Sequence, residues 1–275
     1  MKKHSLCLVF FCFITCFMEG QTGNTIEATG FYKTAQHKVE LGQYDSAVYY
    51  FSRAIDLHYP DKKAYGNRGI NQFRQGNYEE ALVDYDTALK YIRDNSLLFC
   101  NKGILLARLK RNTEAITYFN LALAIDSTDA ETYSCRGATY QEMHDSLAAI
   151  ADYNRAIALN PDFADYYYNR ARLFKGSRSA IKDYEKAILL EPGMYDAYYN
   201  LGIIYFNTEK FSTAAGIFQK ALTFTTGHKA ELNYLLAECY WYSGKTYRGC
   251  FYLKEALSLG YTGEVAKGLA ECGIE

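Results

Sequence analysis

Proline is scarce in this chain, three in 275 residues, and tryptophan occurs once. No proline-rich, serine-rich or single-charge tract is present, so composition argues against a largely disordered polypeptide. An excess of either charge is missing too: 30 Lys+Arg stand against 31 Asp+Glu, for a net charge of −1. Without a dense Lys/Arg footprint to neutralise phosphates, nucleic acid is not expected as a partner. HExxH, GxSxG, P-loop and CxxC motifs are all lacking, and His37, His58, His144 and His228 are isolated without a repeated carboxylate partner. No catalytic residue, metal site or cofactor is therefore expected. Acidic pairs such as Glu79-Glu80 fall at helix starts, where they favour the dipole and face water.

Long apolar runs are also missing. The longest clear one, Leu6 to Phe17, follows Lys2, Lys3 and His4 and is too short to span a bilayer. It matches the apolar core of a secretory signal, which assigns residues 1–20 to a signal peptide cut after Gly20 and leaves no membrane span in the mature chain. The expected address is outside the cytoplasm, periplasmic or secreted. Lipidation is the less favoured alternative, since Cys12 follows Phe11 and Cys16 follows Thr15 without the small residue that processing needs.

Five cysteines remain beyond the signal: Cys100, Cys135, Cys239, Cys250 and Cys272. An odd number cannot all pair, and helical placement without metal spacing reads as small buried hydrophobes. A disulfide among Cys239, Cys250 and Cys272 stays open in an oxidising compartment.

What the chain has in abundance is periodicity. Ala54, Ala88, Ala122, Ala156, Ala187, Ala221 and Ala256 recur at spacings of 34, 34, 34, 31, 34 and 35 residues. A second series, Ala47, Ala81, Ala115, Ala149, Ala180 and Ala214, keeps step and reaches Gly249. Three residues before each member of the first series stand Phe51, Tyr85, Phe119, Tyr153, Tyr184, Phe218 and then Leu253. Intervals of four and three place all of these on one face of a helix, where small residues admit a neighbouring helix and the ring fills the gap.

The preceding helix of each unit has its own series. Phe31, Tyr65, Phe99, Tyr133, Tyr167 and Tyr198 are followed four residues later by Ala35, Gly69, Gly103, Gly137, Ala171 and Gly202. Three places further on come Leu106, Tyr140, Phe174, Tyr205 and Tyr240, with Lys38 and Gln72 in the first two units. All three prolines, Pro60, Pro161 and Pro192, fall between units, where one helix must stop.

In YNLGIIYF (199–206) and AIADYNRAIALNP (149–161) the chain resembles the tetratricopeptide repeat family. The resemblance implies an all-α fold: a right-handed alpha-alpha superhelix of about seven helix-turn-helix repeats with a concave groove lined by the first helices, plus a C-terminal capping helix. The repeats are about 28–61, 62–95, 96–129, 130–163, 164–194, 195–228 and 230–263, with the cap at 264–275 carrying Val265 and Leu269. A single pair cannot bury its apolar face alone, so residues 28–275 are expected to form one cooperative array. Unit five is three residues short around Lys175-Gly176-Ser177, which predicts helices clipped by about a turn.

Covariation inside the chain predicts internal ties. The place before the small residue holds Arg68, Arg136 and Arg170 in the same units in which the place before the second-helix ring holds Asp84, Asp152 and Asp183. In unit six both become apolar, Leu201 and Ile217, so these places are expected to touch, and the arginines to be structural ion pairs.

Because the family implies protein binding, the expected partner is a protein or peptide held in the groove. The groove places carry an asparagine series, Asn67, Asn101, Asn169 and Asn200, interrupted by Cys135. An amide both donates to and accepts from a peptide bond, so such a ladder can hold an extended chain; binding to neighbouring helices is the alternative. Tyr168 and Tyr199 lie beside it, with Ile70, Ile104 and Ile203 one turn on. The lysine-rich carboxylate clamp of the family's chaperone-cofactor members is absent: its first place holds Tyr32, Gly66, Cys100, Ser134, Tyr168 and Tyr199. The competing functional reading is a structural scaffold in a cell-envelope assembly, using the convex face or the array ends.

Overall fold

The computed structural model describes residues 24–174, 176–225, 227–263 and 266–273. The signal segment 1–20 and Val265 lie outside the described residues. Within them every regular element is a helix. They fall into two compact units, 1–143 and 144–275.

The first unit holds α1 (residues 24–40), α2 (Tyr44–Asp56), α3 (Lys63–Gln75), α4 (Tyr78–Leu89), α5 (Ser96–Arg108), α6 (Asn112–Ile125) and α7 (Ala130–Glu142). The second holds α8 (Ser146–Leu159), α9 (Ala164–Leu173), α10 (Arg178–Leu190), α11 (Tyr195–Asn207), α12 (Phe211–Leu222), α13 (Lys229–Tyr242), α14 (Thr246–Ser258) and α15 (Ala266–Cys272). In each unit successive helices pack as pairs, and pair stacks on pair, the arrangement of an alpha-alpha solenoid.

The small-aromatic-small series is the core. Ala47, Ala54, Ala81, Ala88, Ala115 and Ala122 are buried in the first unit around Phe51, Tyr85 and Phe119. Ala149, Ala156, Ala180, Ala187, Ala214 and Ala221 do the same in the second around Tyr153, Tyr184 and Phe218. The glycines of the first helices answer those rings. A Cβ on Gly103 would stand 2.7 Å from Phe119 Cε1 and 2.8 Å from its Cδ1, so α5 and α6 approach only because nothing is there.

Helix starts are fixed by side-chain oxygens. Asn95, Asp129, Asp145 and Ser177 accept backbone N–H groups at the N-termini of α5, α7, α8 and α10. The turn inside each pair needs one left-handed residue, taken by Gly42, Gly76, Gly176 and Gly244 but also by Lys110, His144 and Glu209. The shortening of unit five falls on α9, which has 10 residues against 13 in α10.

The chain end is tied down covalently. Cys250 on α14 and Cys272 on α15 form a disulfide with Cα atoms 5.4 Å apart. This corrects the reading of these two cysteines as free buried hydrophobes; Cys100 and Cys239 are free and buried, and Cys135 is free and half-buried. Beside the bridge lies Trp241, whose ring fills the space left by Gly249 on α14 and Gly268 on α15. Its buried indole N–H has no acceptor among the described residues. No helix among the described residues is long and apolar enough to cross a membrane, and none of their His, Cys, Asp and Glu side chains group as a metal site requires.

Candidate functional site

The first helices carry two kinds of polar residue, one used internally and one facing open space. The arginine place is internal. Arg68 Nε and Nη2 each donate to Asp84 at 2.7 Å, a two-pronged pair across α3 and α4. The hydrogen bond that Arg68 donates to Asp84 raises the Arg68 pKa against the opposing effect of burial. Arg170 grips Asp183 the same way at 2.8 and 2.7 Å. Arg136 lies in the first compact unit and Asp152 in the second; in the first, Arg136 donates to Asn120 Oδ1 at 2.5 Å and lies over the Tyr133 ring, and in the second, Asp152 is buried on α8.

A second set of ties was not foreseen. The third guanidinium nitrogen of Arg68 donates to Ser52 at 2.9 Å, and that of Arg170 to Asn154 at 2.6 Å. Together with Arg136–Asn120 these bonds join each arginine to the residue just after the ring of the preceding pair. Unit three obeys the rule with different chemistry: buried Lys102 takes the arginine place, donates to Tyr118 Oη at 2.6 Å and bonds Asp86 of the preceding pair. The signal was in the sequence as the polar series Ser52, Asp86, Asn120 and Asn154 behind each aromatic.

One residue earlier the asparagine row lies half-buried on the first helices. Asn67 Nδ2 donates to Tyr32 Oη at 2.8 Å, and Asn200 Nδ2 to Tyr168 Oη at 3.5 Å and to the Asp196 carbonyl at 2.8 Å. Tyrosine at the place before thus reaches forward to the next first helix. Tyr199 does so as well, donating to Glu231 at 2.6 Å. Burial first, and then Glu231, raise the Tyr199 pKa, so this phenol keeps its proton. Asn101 and Asn169 make no side-chain hydrogen bond among the described residues.

Three open cavities lie between successive first helices; asparagines of the row line two of them, and Cys135, at the same place, lines the third. Asn67, Ile70 and Asn101 line a space of about 80 Å3 between α3 and α5. Ile104 and Cys135 line one of about 230 Å3 between α5 and α7. Asn200 and Ile203, with Arg172 and Tyr184, line one of about 390 Å3 between α9 and α11. Arg172 also lies over the Tyr168 ring, 5.8 Å from its centroid. Each space offers amide or hydroxyl groups beside an apolar wall, which suits a peptide: backbone to the amides, side chains into the gaps.

Comparison with known proteins agrees with this architecture. A family model described as tetratricopeptide repeat matches residues 32–96, 67–130 and 176–229, and a further TPR repeat model matches 148–176. None of the curated proteins matches the chain. Among solved structures, a TPR repeat-containing protein from Cytophaga hutchinsonii is 18% identical with a TM-score of 0.71, covering 87% of this chain and 98% of its own. A tetratricopeptide repeat protein from Parabacteroides merdae is 22% identical with a TM-score of 0.63, covering 90% of this chain and 98% of its own. YrrB, a TPR protein with an unusual peptide-binding site, is 21% identical with a TM-score of 0.55, covering 67% and 96%.

Proposed function

Because the chain belongs to the tetratricopeptide repeat family, we propose that it is a non-enzymatic protein-binding module that holds an extended or helical segment of a partner along its first helices. The observation that carries this reading is the coincidence of the asparagine row with the cavities between successive first helices. Asn101 and Asn169 are the amides left open for a peptide backbone, whereas Asn67 and Asn200 already donate to tyrosines and serve to shape the wall. YrrB, with the same fold, has a peptide site of its own. An exported setting fits the Cys250–Cys272 disulfide, since such bonds persist in oxidising compartments.

The test is selection of short randomised peptides against the folded chain, followed by affinity measurement on the separate Asn101→Ala and Asn169→Ala variants. Loss of one peptide hydrogen bond at about 0.5–1.5 kcal/mol predicts weakening of about two- to tenfold in the variant whose asparagine the peptide uses. Photocrosslinkers at positions 101 and 169 should capture the peptide, and ones at exposed Val83 and Leu147 on the second helices should not. Unchanged affinity with crosslinks confined to Val83 and Leu147 refutes the groove and favours a scaffold that binds through the opposite face.

A further inference from the structure

Cys100 and Cys135 are remote in sequence and meet in the fold. Cys100 sits on α5 and is 4% exposed, at the heart of a cluster with Leu106, Ala115, Phe119 and Ala122. Cys135, on the neighbouring first helix α7, packs against that cluster, and the two thiols are close enough to perturb each other's ionisation. Cys100 stands at the place before the row and Cys135 in the row itself, where other units carry asparagine; the same two places meet in Tyr32–Asn67 and Tyr168–Asn200. They differ in access: Cys100 is enclosed, while Cys135 is half-buried and lines the cavity of about 230 Å3 between α5 and α7. Cys239, the third free cysteine among the described residues, is fully buried on α13 of the other unit and has no such partner among them.

We propose that Cys100 and Cys135 form a two-electron redox site, oxidised by a small-molecule disulfide that enters the α5–α7 cavity, and that the product is a Cys100–Cys135 disulfide bridging two successive first helices. The inference stands whether or not a peptide occupies the groove.

The chemistry has two exchanges. Deprotonated Cys135 attacks one sulfur of the entering disulfide, forming a mixed disulfide and releasing the first small thiolate, which takes up the proton that Cys135 gave up. Cys100 then attacks the Cys135 sulfur, forming the internal bond and releasing the second thiolate, which is protonated in turn by the proton from Cys100. Two cysteine thiols are oxidised and one external disulfide is reduced to two thiols, so electrons and protons balance. The surroundings divide these roles. Interaction with Cys135 lowers the Cys100 pKa and favours its thiolate, and the same interaction together with burial raises that of Cys135.

The experiment treats the folded chain with oxidised glutathione, blocks remaining thiols with N-ethylmaleimide and maps the peptides by mass spectrometry. Cys100 and Cys135 are expected to lose labelling together and appear in one linked peptide. Cys239 stays reduced until denaturation, and Cys250–Cys272 is unchanged. Cys100→Ser is expected to stop at a stable Cys135–glutathione adduct, which shows that the cavity admits the reagent even without closure. Reduction should return both thiols. The proposal is overturned if both cysteines of the wild type remain alkylatable, if the adduct on Cys135 persists in the wild type, or if the linked peptide contains Cys239.

Discussion

Gly103→Ala tests whether close approach of the paired helices, rather than burial alone, sets the array. The added methyl would lie 2.7, 2.8 and 3.1 Å from Phe119 Cε1, Cδ1 and Cζ, against the ordinary carbon contact of about 3.5–4.0 Å. Phe119 is fully buried between Ala115 and Ala122, so its ring cannot swing aside without moving α6. Overpacking of this kind destabilises by about 1–3 kcal/mol, and alanine returns up to about 1 kcal/mol as the better helix former. A net loss of about 1–2 kcal/mol follows. The internal control is Gly216→Ala on α12, where an added Cβ meets nothing within 4 Å; there the helix-forming gain stands alone and the variant should be about 1 kcal/mol more stable. Urea unfolding followed by circular dichroism, with hydrogen exchange read on α5–α6 and on α11–α12, measures both. If Gly103→Ala is as stable as Gly216→Ala, the glycine places are not spacing devices and the reasoning fails.

Three further outcomes follow from the same contacts. Arg170→Ala leaves Asp183 buried without its two-pronged partner and should destabilise by about 3–5 kcal/mol in urea melts, whereas the double change Arg170→Leu, Asp183→Ile, copying Leu201 and Ile217, should recover most of that loss. Gln72→Leu removes a buried amide oxygen that has no donor among the described residues, and puts at that place the residue unit three already uses at Leu106; a gain of about 1–2 kcal/mol is expected by the same melts. Tyr184 and Tyr195 have their pKa values pushed up to about 12, mainly by burial. The unfolded chain releases these phenol protons near pH 10 while the folded chain keeps them, so their contribution to stability is complete below pH 10 and falls as pH rises toward 12. Phenolate absorbance in a pH titration should show their ionisation coinciding with loss of helix, and free titration near pH 10 in a fully helical chain refutes it.

The helix pairs and their core were legible because a repeat states each packing rule several times over. Phe51, Tyr85, Phe119 and their successors share one phase, and a single face of one helix period accommodates them all. The pairing of Arg68 with Asp84 was legible for a related reason: the change to Leu201 and Ile217 in unit six exposes which places touch. What stayed hidden depends on the offset between successive pairs, which no single helical period encodes. Arg68 reaching back to Ser52, and Lys102 to Asp86, require knowing how far one pair is displaced along the next. The contact of Cys100 with Cys135 is hidden by the same offset. Lys110 and Glu209 were unreadable as turn residues because both occupy a conformation that glycine holds in Gly42, Gly76 and Gly244, and the hydrogen bonds around the turn hold them there. Among the site residues, the asparagine and arginine places differ in phase, but the sequence could not tell Asn67 and Asn200, which bond tyrosines, from Asn101 and Asn169.

The place of Trp241 gives the molecule a built-in optical reporter. It is the one indole in 275 residues, and its ring is closed in by Gly249 and Gly268 beside the Cys250–Cys272 bridge. Emission at long excitation wavelength, where the 27 tyrosines are silent, therefore reads the solvation of the last helix and nothing else along the chain. Reducing the bridge should first redden that emission while far-ultraviolet ellipticity holds, so that fraying of α15 from α13 and α14 can be watched apart from the melting of the other helices.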